Sequence, residues 1–263
     1  MKIKSVVKVM NFHALLRVDK ARKNAERYFE YENELTDFTD DILNNRNLIL
    51  DKKVLKLNKQ AKPLNIYIGN DLGFCGNFNS NVNKMAEEEP NCNKIIIGKK
   101  IFKLKENAIL QMSKEEYLND NNKIEQLLYD VVNKGKASEI NIIYNHYHNI
   151  SDIELVKKKL LPIENTKAQK GKYYEDFTVE GDLNSILINI ITLYLSYEIK
   201  IATENSYASE NIMRQSITKQ SLKKIDEIET EEKMEIRKEK NNESFKKVID
   251  NFIKLTSKEG KDE

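Results

Sequence analysis

Residues 7–49 read VKVMNFHALLRVDKARKNAERYFEYENELTDFTDDILNNRNLI and contain neither Gly nor Pro. Within them Val7, Ala14, Ala21, Tyr28, Leu35, Ile42 and Ile49 recur every seven residues, and Met10, Val18, Ala25, Tyr31 and Phe38 follow three or four positions later. A seven-residue apolar repeat keeps one stripe of a helix turned toward a partner helix and implies left-handed supercoiling. Fifty residues of such a helix would reach roughly 75 Å, longer than an ordinary globular helix.

The rest of the chain is organised around this arm. All three prolines (Pro63, Pro90, Pro162) and seven of the eight glycines lie between residues 63 and 181, and the eighth is Gly260. Since Gly and Pro punctuate helices, their distribution predicts an N-terminal coiled-coil helix over 1–62, a broken central domain over 63–181, and a C-terminal coiled-coil helix with a short tail over 182–263. Gly181 closes the centre, and Asp182 is a suitable N-cap for the second arm. Along that arm apolar residues are dense from Leu183 to Met213, thin out over Glu229–Ser244, and return at Phe245, Val248, Ile249, Phe252 and Ile253. The polar stretch offers i,i+4 pairs such as Glu229–Lys233 and Glu243–Lys247. An antiparallel pairing would set the last apolar cluster beside the N-terminal helix.

The centre alternates. Leu64–Gly69, Ile95–Gly98 and Glu139–Tyr144 read as strands, with helices at about Phe78–Glu89 and Lys123–Lys134 between them. Strand and helix in turn predict a small Rossmann-like α/β domain with a largely parallel sheet. The expected fold is therefore α/β with long helical arms, the arms winding into an antiparallel two-helix coiled coil.

Composition narrows the function. With 44 Lys+Arg against 42 Asp+Glu and a net charge of +2, the chain of 263 residues lacks the basic face of a nucleic-acid binder. Its two cysteines cannot form a disulfide framework, which points to a reducing cytosol. Leu183–Leu195 is too short, and with Asn184, Ser185, Asn189 and Thr192 too polar, to cross a bilayer.

Few residues suggest chemistry. Gly69-Asn70-Asp71-Leu72-Gly73-Phe74-Cys75-Gly76 is a Gly-rich turn between a strand and a helix, where backbone N–H groups could hold a phosphate. Its glycine spacings of four and three are not those of the dinucleotide fingerprint, and no Gly-Lys-Ser/Thr follows. Cys75 could be a nucleophile at a helix N-terminus or a small buried side chain. His146 and His148 would share a face if the third strand continues, yet two histidines make a weak metal site. No catalytic, cofactor-binding or metal residue emerges, and no cofactor is expected.

Taken together, the segments resemble the gamma subunit of F-type ATP synthases, in a divergent bacterial form. Ile3-Lys4-Ser5-Val6 is similar to the family's opening Ile-Lys-Ser-Val, and Lys23 stands where the family places a lysine. Asp71-Leu72-Gly73-Phe74-Cys75-Gly76-Asn77-Phe78-Asn79 resembles Asp-Arg-Gly-Leu-Cys-Gly-x-Phe-Asn. Ile143-Tyr144-Asn145, Leu160-Leu161-Pro162 and Tyr174-Glu175 follow in the family's order, and Ser206-x-Ala208-Ser209-Glu210 with Arg214 matches Ser-x-Ala-Ser-Glu-x-x-x-Arg. The chain departs from the pattern at Leu72, at Phe12, Leu15 and Leu16, at Ile217-Thr218, and over Arg237–Lys247.

The resemblance implies a non-catalytic central-stalk rotor that couples ion-driven rotation of a membrane c-ring to ATP synthesis or hydrolysis in a head of alpha and beta subunits. An epsilon subunit would join it at the foot, and the chain would lie at the cytoplasmic face of the cell membrane, touching the membrane only through the complex. Its motif and interface candidates are Ser5, Lys23, Asp71, Gly73, Cys75, Gly76, Ser209, Glu210 and Arg214, with Phe245, Ile249 and Phe252 near the C-terminal end running in an apolar sleeve. A related shaft of a specialised rotary ATPase, a small α/β nucleotide-dependent enzyme with coiled-coil arms, and a scaffold outside any rotary machine remain alternatives.

Overall fold

A computed structural model of the chain describes residues 2–44, 57–101, 107–149, 152–162 and 180–259. Its elements are α1 (Lys2–Asn44), β1 (Leu64–Ile68), α2 (Phe78–Glu88), β2 (Asn93–Ile97), β3 (Ala108–Met112), α3 (Lys114–Asn119), α4 (Asn122–Asn133), β4 (Ile140–Asn149), β5 (Asp152–Leu161) and α5 (Leu183–Glu259). They fall into two units, residues 12–217 and residues 1–11 with 218–263.

In the larger unit a five-stranded sheet runs in the order β3-β2-β1-β4-β5. The first four strands are parallel and β5 is antiparallel to β4. The three strands expected from the sequence are β1, β2 and β4. Two others were not anticipated. β3 is short and bulged against β2, and β5 hides its alternation behind Lys157-Lys158-Lys159, charges of the kind that guard a sheet edge.

The strands read as apolar runs because both faces of the sheet are covered. Ile66, Ile95, Ile97, Ile140 and Ile142 pack with Ile124, Leu128 and Val131 of α4 and with Leu187, Ile191, Leu195 and Ile199 of α5. On the opposite face Tyr67, Ile96 and Ile143 meet Val82 and Ala86 of α2. Each fully buried isoleucine contributes about 1.5–3 kcal/mol relative to exposure. α5 holds a stretch apolar enough for a membrane span, but 56% of it is buried within the protein. The start of α5 is as expected, with Asp182 accepting from the N–H groups of Asn184 and Ser185, both at 3.3 Å.

The same unit holds part of the helix pair. Asn24 hydrogen-bonds Glu204, and the rings of Tyr31 and Tyr197 lie 5.9 Å apart. Contacts that descend one helix while climbing the other mean antiparallel pairing. Among the described residues of this part of α1, Ala14 and Ala21 of the heptad row, with Val18, are the buried ones. Before β1 the backbone turns: Ala61 N–H donates to Asn58 O and Gln60 N–H to Asn58 Oδ1. An Asn side chain that captures nearby backbone in this way competes with helix.

In the smaller unit the pairing has the same sense. Asn11 Nδ2 donates to Thr218 Oγ1 at 2.9 Å, and Lys4 Nζ lies 2.6 Å from carboxylate oxygens of both Asp226 and Glu229. Glu229 is thus held by Lys4 across the pair, with Lys233 one turn on adding a weaker attraction. This register also corrects the expectation for the last apolar cluster. α1 starts at Lys2, opposite the region of Asp226, so it offers nothing alongside residue 245. Residues 231–251 of α5 are exposed, Phe245 at 68% and Ile249 at 42%. The Phe252 side chain lies outside the described residues.

Candidate functional site

The motif residues converge on a junction between the turn after β1 and the middle of α5. β1 and β2 end in glycines whose backbones nearly touch. A Cβ on Gly98, at φ +133°, would lie 2.9 Å from the carbonyl carbon of Gly69. That approach lets Gly69 N–H reach Ile97 O at 2.8 Å and Lys100 N–H reach Asn70 O at 3.0 Å. Asp71 then fixes the turn from outside. Its carboxylate accepts from the backbone N–H of Lys99 at 2.8 Å and of Lys114 at 3.1 Å. One side chain therefore ties together the loops that follow β1, β2 and β3.

Beyond Asp71 the backbone enters the left-handed region at Phe74 (φ 64°) and Gly76 (φ 57°), which folds Cys75 inward. A Cβ on Gly76 would stand 3.1 Å from Ile217 Cδ1 and 3.8 Å from Met213 Cε, so α5 packs directly against the turn. Leu72 and Phe74 face outward, 54% and 68% exposed.

Arg214 completes the lock. Its Nε donates to Gly73 O at 3.3 Å, Nη2 to Cys75 Sγ at 3.2 Å and Nη1 to Asn211 Oδ1 at 2.8 Å, and Nη2 also pairs with Glu210 one turn earlier. Arg214 and Glu210 are both buried. A buried guanidinium is tolerable only when its planar fork of donors is satisfied. The carboxylate and the turn satisfy it here.

Cys75 is a thiol in this setting. Burial pushes it up to about 11, against the pull of the Arg214 guanidinium. Its S–H lies 3.2 Å from the Gly73 carbonyl, and its sulfur accepts from Asn70 Nδ2 at 3.1 Å. The nucleophile reading fails for want of a thiolate. One turn earlier on α5, Ser209 Oγ donates to Asn145 O of β4 at 3.1 Å, and Asn145 Nδ2 donates to Phe78 O at the start of α2.

α5 thus contacts the chain where β1 ends beside the middle of β4, the two strands between which the strand order reverses. In doubly wound folds that is the ligand crevice. Here Arg214 and Ser209 of the chain itself reach into it, and the Gly-rich turn becomes a socket for a helix.

Of the motif candidates, Asp71, Gly73, Cys75, Gly76, Ser209, Glu210 and Arg214 form this junction. Gly73 takes part only through its carbonyl, since an added Cβ would meet nothing within 4 Å. Lys23 is exposed on α1 outside it, and Ser5, Phe245 and Ile249 are exposed residues of the other unit. Asn70 and Asn145 enter the sequence reading only as members of longer segments, and Asn211 not at all, because nothing distinguishes a junction asparagine from a surface one. His146 and His148 do share a face of β4, their ring centroids 4.5 Å apart, and His148 Nε2 is 3.2 Å from Glu154 of β5.

A family model described as ATP synthase matches residues 1–243. The chain is 26% identical over 238 residues to the ATP synthase gamma chain of Clostridium perfringens (strain SM101 / Type A), covering 86% of this chain and 82% of that one. It is 29% identical over 226 residues to the ATP synthase gamma chain of Clostridium novyi (strain NT), covering 80% and 78%. Among solved structures, a central stalk/c-ring chain of the Tetrahymena thermophila mitochondrial ATP synthase shares the fold at a TM-score of 0.56 and 18% identity, over 82% of this chain and 99% of that one. A chain of the Euglena gracilis mitochondrial ATP synthase (OSCP/F1/c-ring) does so at 0.55 and 15%, over 91% and 94%.

Proposed function

We propose, from the premise that this chain belongs to the ATP synthase gamma family, a purely mechanical role: it is the rotor subunit of an F-type ATP synthase and performs no chemistry of its own. In this reading residues 1–62 and 182–263 act as the shaft and residues 63–181 as its foot. The foot engages a membrane c-ring and an epsilon subunit, and the shaft runs into a head of alpha and beta subunits. The assembly stands at the cytoplasmic face of the membrane, and this chain is peripheral to it.

The observation that carries the proposal is α5. One uninterrupted helix of 77 residues bears the side chains buried on the sheet, the Arg214 lock, and the exposed Phe245 and Ile249. Exposed apolar residues on a stretch of helix that no described residue covers are suited to a greased sleeve supplied by other subunits. Torque applied at the foot would enter α5 through the sheet contacts and through Arg214 and Ser209. An off-centre shaft that touches each beta subunit differently would favour open, loose and tight nucleotide states in turn. That is a coupling free energy between ion passage and ATP chemistry, and it works in both directions.

The exposed Leu72 and Phe74, together with Phe12 at 58%, Leu15 at 43% and Leu16 at 51%, supply further apolar contact surface. At Phe12, Leu15 and Leu16 the chain departs from the family pattern, which supports, as a second reading, a related motor whose head differs from that of an ordinary synthase.

Co-purification of the native complex with mass spectrometry of its subunits tests both. Recovery with alpha, beta, epsilon and c subunits supports the synthase. A head of other composition supports the specialised motor. Recovery without any ATPase subunit refutes the rotor role.

A further inference from the structure

A cleft of about 720 Å³ opens beside the junction, between α1, the turn after β1, α3 and α5. Asp71, Lys99 and Lys114 place it at the carboxyl ends of β1, β2 and β3, where sheets of this type bind ligands. Its size is that of a small-molecule site. Much of its wall is apolar, formed by Ala21, Leu72, Leu118 and the ring of Tyr207.

At the base lies Lys114, only 8% exposed. Its ammonium sits 3.6 Å from the Tyr207 ring centroid, and its one hydrogen-bond acceptor among the described residues is the Thr203 carbonyl at 3.4 Å. An ammonium carries three donors, so this buried cation is short of acceptors. Nearby, the buried hydroxyls of Thr203 and Tyr117 have no partner among the described residues. Both line a smaller adjoining cavity that shares Leu118 and Glu204 with the cleft.

The acidic groups facing Lys114 are already occupied. Asp71 accepts from the backbone of Lys99 and Lys114, Glu210 is paired with Arg214, and Glu204 is hydrogen-bonded by Asn24. Arg17, Lys20 and Lys99 stand at the cationic rim, with Glu115 the opposing charge beside them. Burial pulls Lys114 down to about 8 despite Glu210, Glu204 and Asp71, as expected of an ammonium that those carboxylates compensate incompletely.

We propose that this cleft binds a small amphipathic carboxylate, its anionic head on the Lys114 ammonium and its hydrocarbon body against Leu72, Leu118 and Tyr207. Such a ligand touches the turn after β1, α3 and α5 together, so its binding tightens the hold of α5 on the sheet.

Isothermal titration calorimetry of the full chain with octanoate, and with 1-octanol as the uncharged analogue, tests this. Saturable one-to-one octanoate binding at about pH 7 is expected, weaker by about tenfold or more at about pH 9.5, where Lys114 is neutral. Lys114→Met and Leu118→Glu should weaken it by a similar factor. Leu118 is 60% exposed, so Leu118→Glu leaves the fold intact and decides the matter if Lys114→Met does not fold. Absence of saturable octanoate binding, equal binding of 1-octanol, or full binding by Leu118→Glu overturns the proposal.

Discussion

Arg214 Nη2 donates to the sulfur of Cys75 at 3.2 Å, bridging residues 139 positions apart. That contact, with the guanidinium's bond to Gly73 O, joins the turn after the first strand to the long C-terminal helix. It is where loss of one side chain should do the most damage.

Arg214→Met is expected to destabilise the chain by about 3–5 kcal/mol, because Glu210 is left as a buried uncompensated charge. The double change Arg214→Met with Glu210→Gln should recover part of that loss. Urea unfolding followed by circular dichroism measures both, and single and double variants of equal stability would contradict the lock.

The two glycines of the turn should behave differently. Gly76→Ala puts a Cβ at φ 57° and 3.1 Å from Ile217, at a cost of about 1–2 kcal/mol. Gly73→Ala meets nothing within 4 Å and should stay within about 0.5 kcal/mol of wild type. A thermal-unfolding comparison of the two reads the difference directly.

Among the groups that shape stability at alkaline pH, two near the junction act in opposite senses. Lys114 stands at about 8 in the folded chain against an ordinary 10.5. Between those values the unfolded chain holds a proton the folded one lacks, so this group's contribution rises with pH. Cys75 stands at about 11 against 9.0. The unfolded thiol therefore ionises first, and its contribution, full below pH 9.0, is lost as pH climbs toward 11. Stability curves of Lys114→Met and Cys75→Ala should each lose one of these slopes. Curves parallel to wild type across pH 8–11 would rule the assignment out.

Ala21→Pro should cost about 3 kcal/mol or more by removing a helix hydrogen bond and forcing a ring clash, at a position 1% exposed where α1 is buried. Unchanged helicity and melting temperature would count against the helix pair.

At the exposed end of α5 the expectation reverses. Phe245→Glu should leave the isolated chain within about 0.5 kcal/mol of wild type, because the side chain is 68% exposed. In the assembled complex the same change should uncouple ATP hydrolysis from ion transport. Normal coupling would exclude this face from the sleeve.

The pieces of the junction were legible in the sequence, but their meeting was not. Asp71, Gly73, Cys75 and Gly76 stand out as a glycine-rich turn, and Ser209, Glu210 and Arg214 as polar residues on a helix. Nothing local says that Arg214 lies against Cys75. Lys114 gave no signal, since a lysine at the start of a short helix looks solvated until α5 and its Tyr207 ring cover it. The same holds for β5, whose three lysines read as surface until the ladder with β4 is seen.

Periodicity and punctuation alone determined the helical arms and three of the four parallel strands, β1, β2 and β4, because both are local consequences of which residues repeat and where Gly and Pro fall. Register was decided only in three dimensions. A heptad stripe states that α1 has a partner helix, yet it does not say which residues of α5 lie opposite. Pairing Lys4 with Asp226 and Glu229, rather than with residues near 245, required the tertiary structure. The apolar stripe is nearly invariant to sliding, so the polar and charged contacts along it select the alignment, and these couple positions more than 200 residues apart.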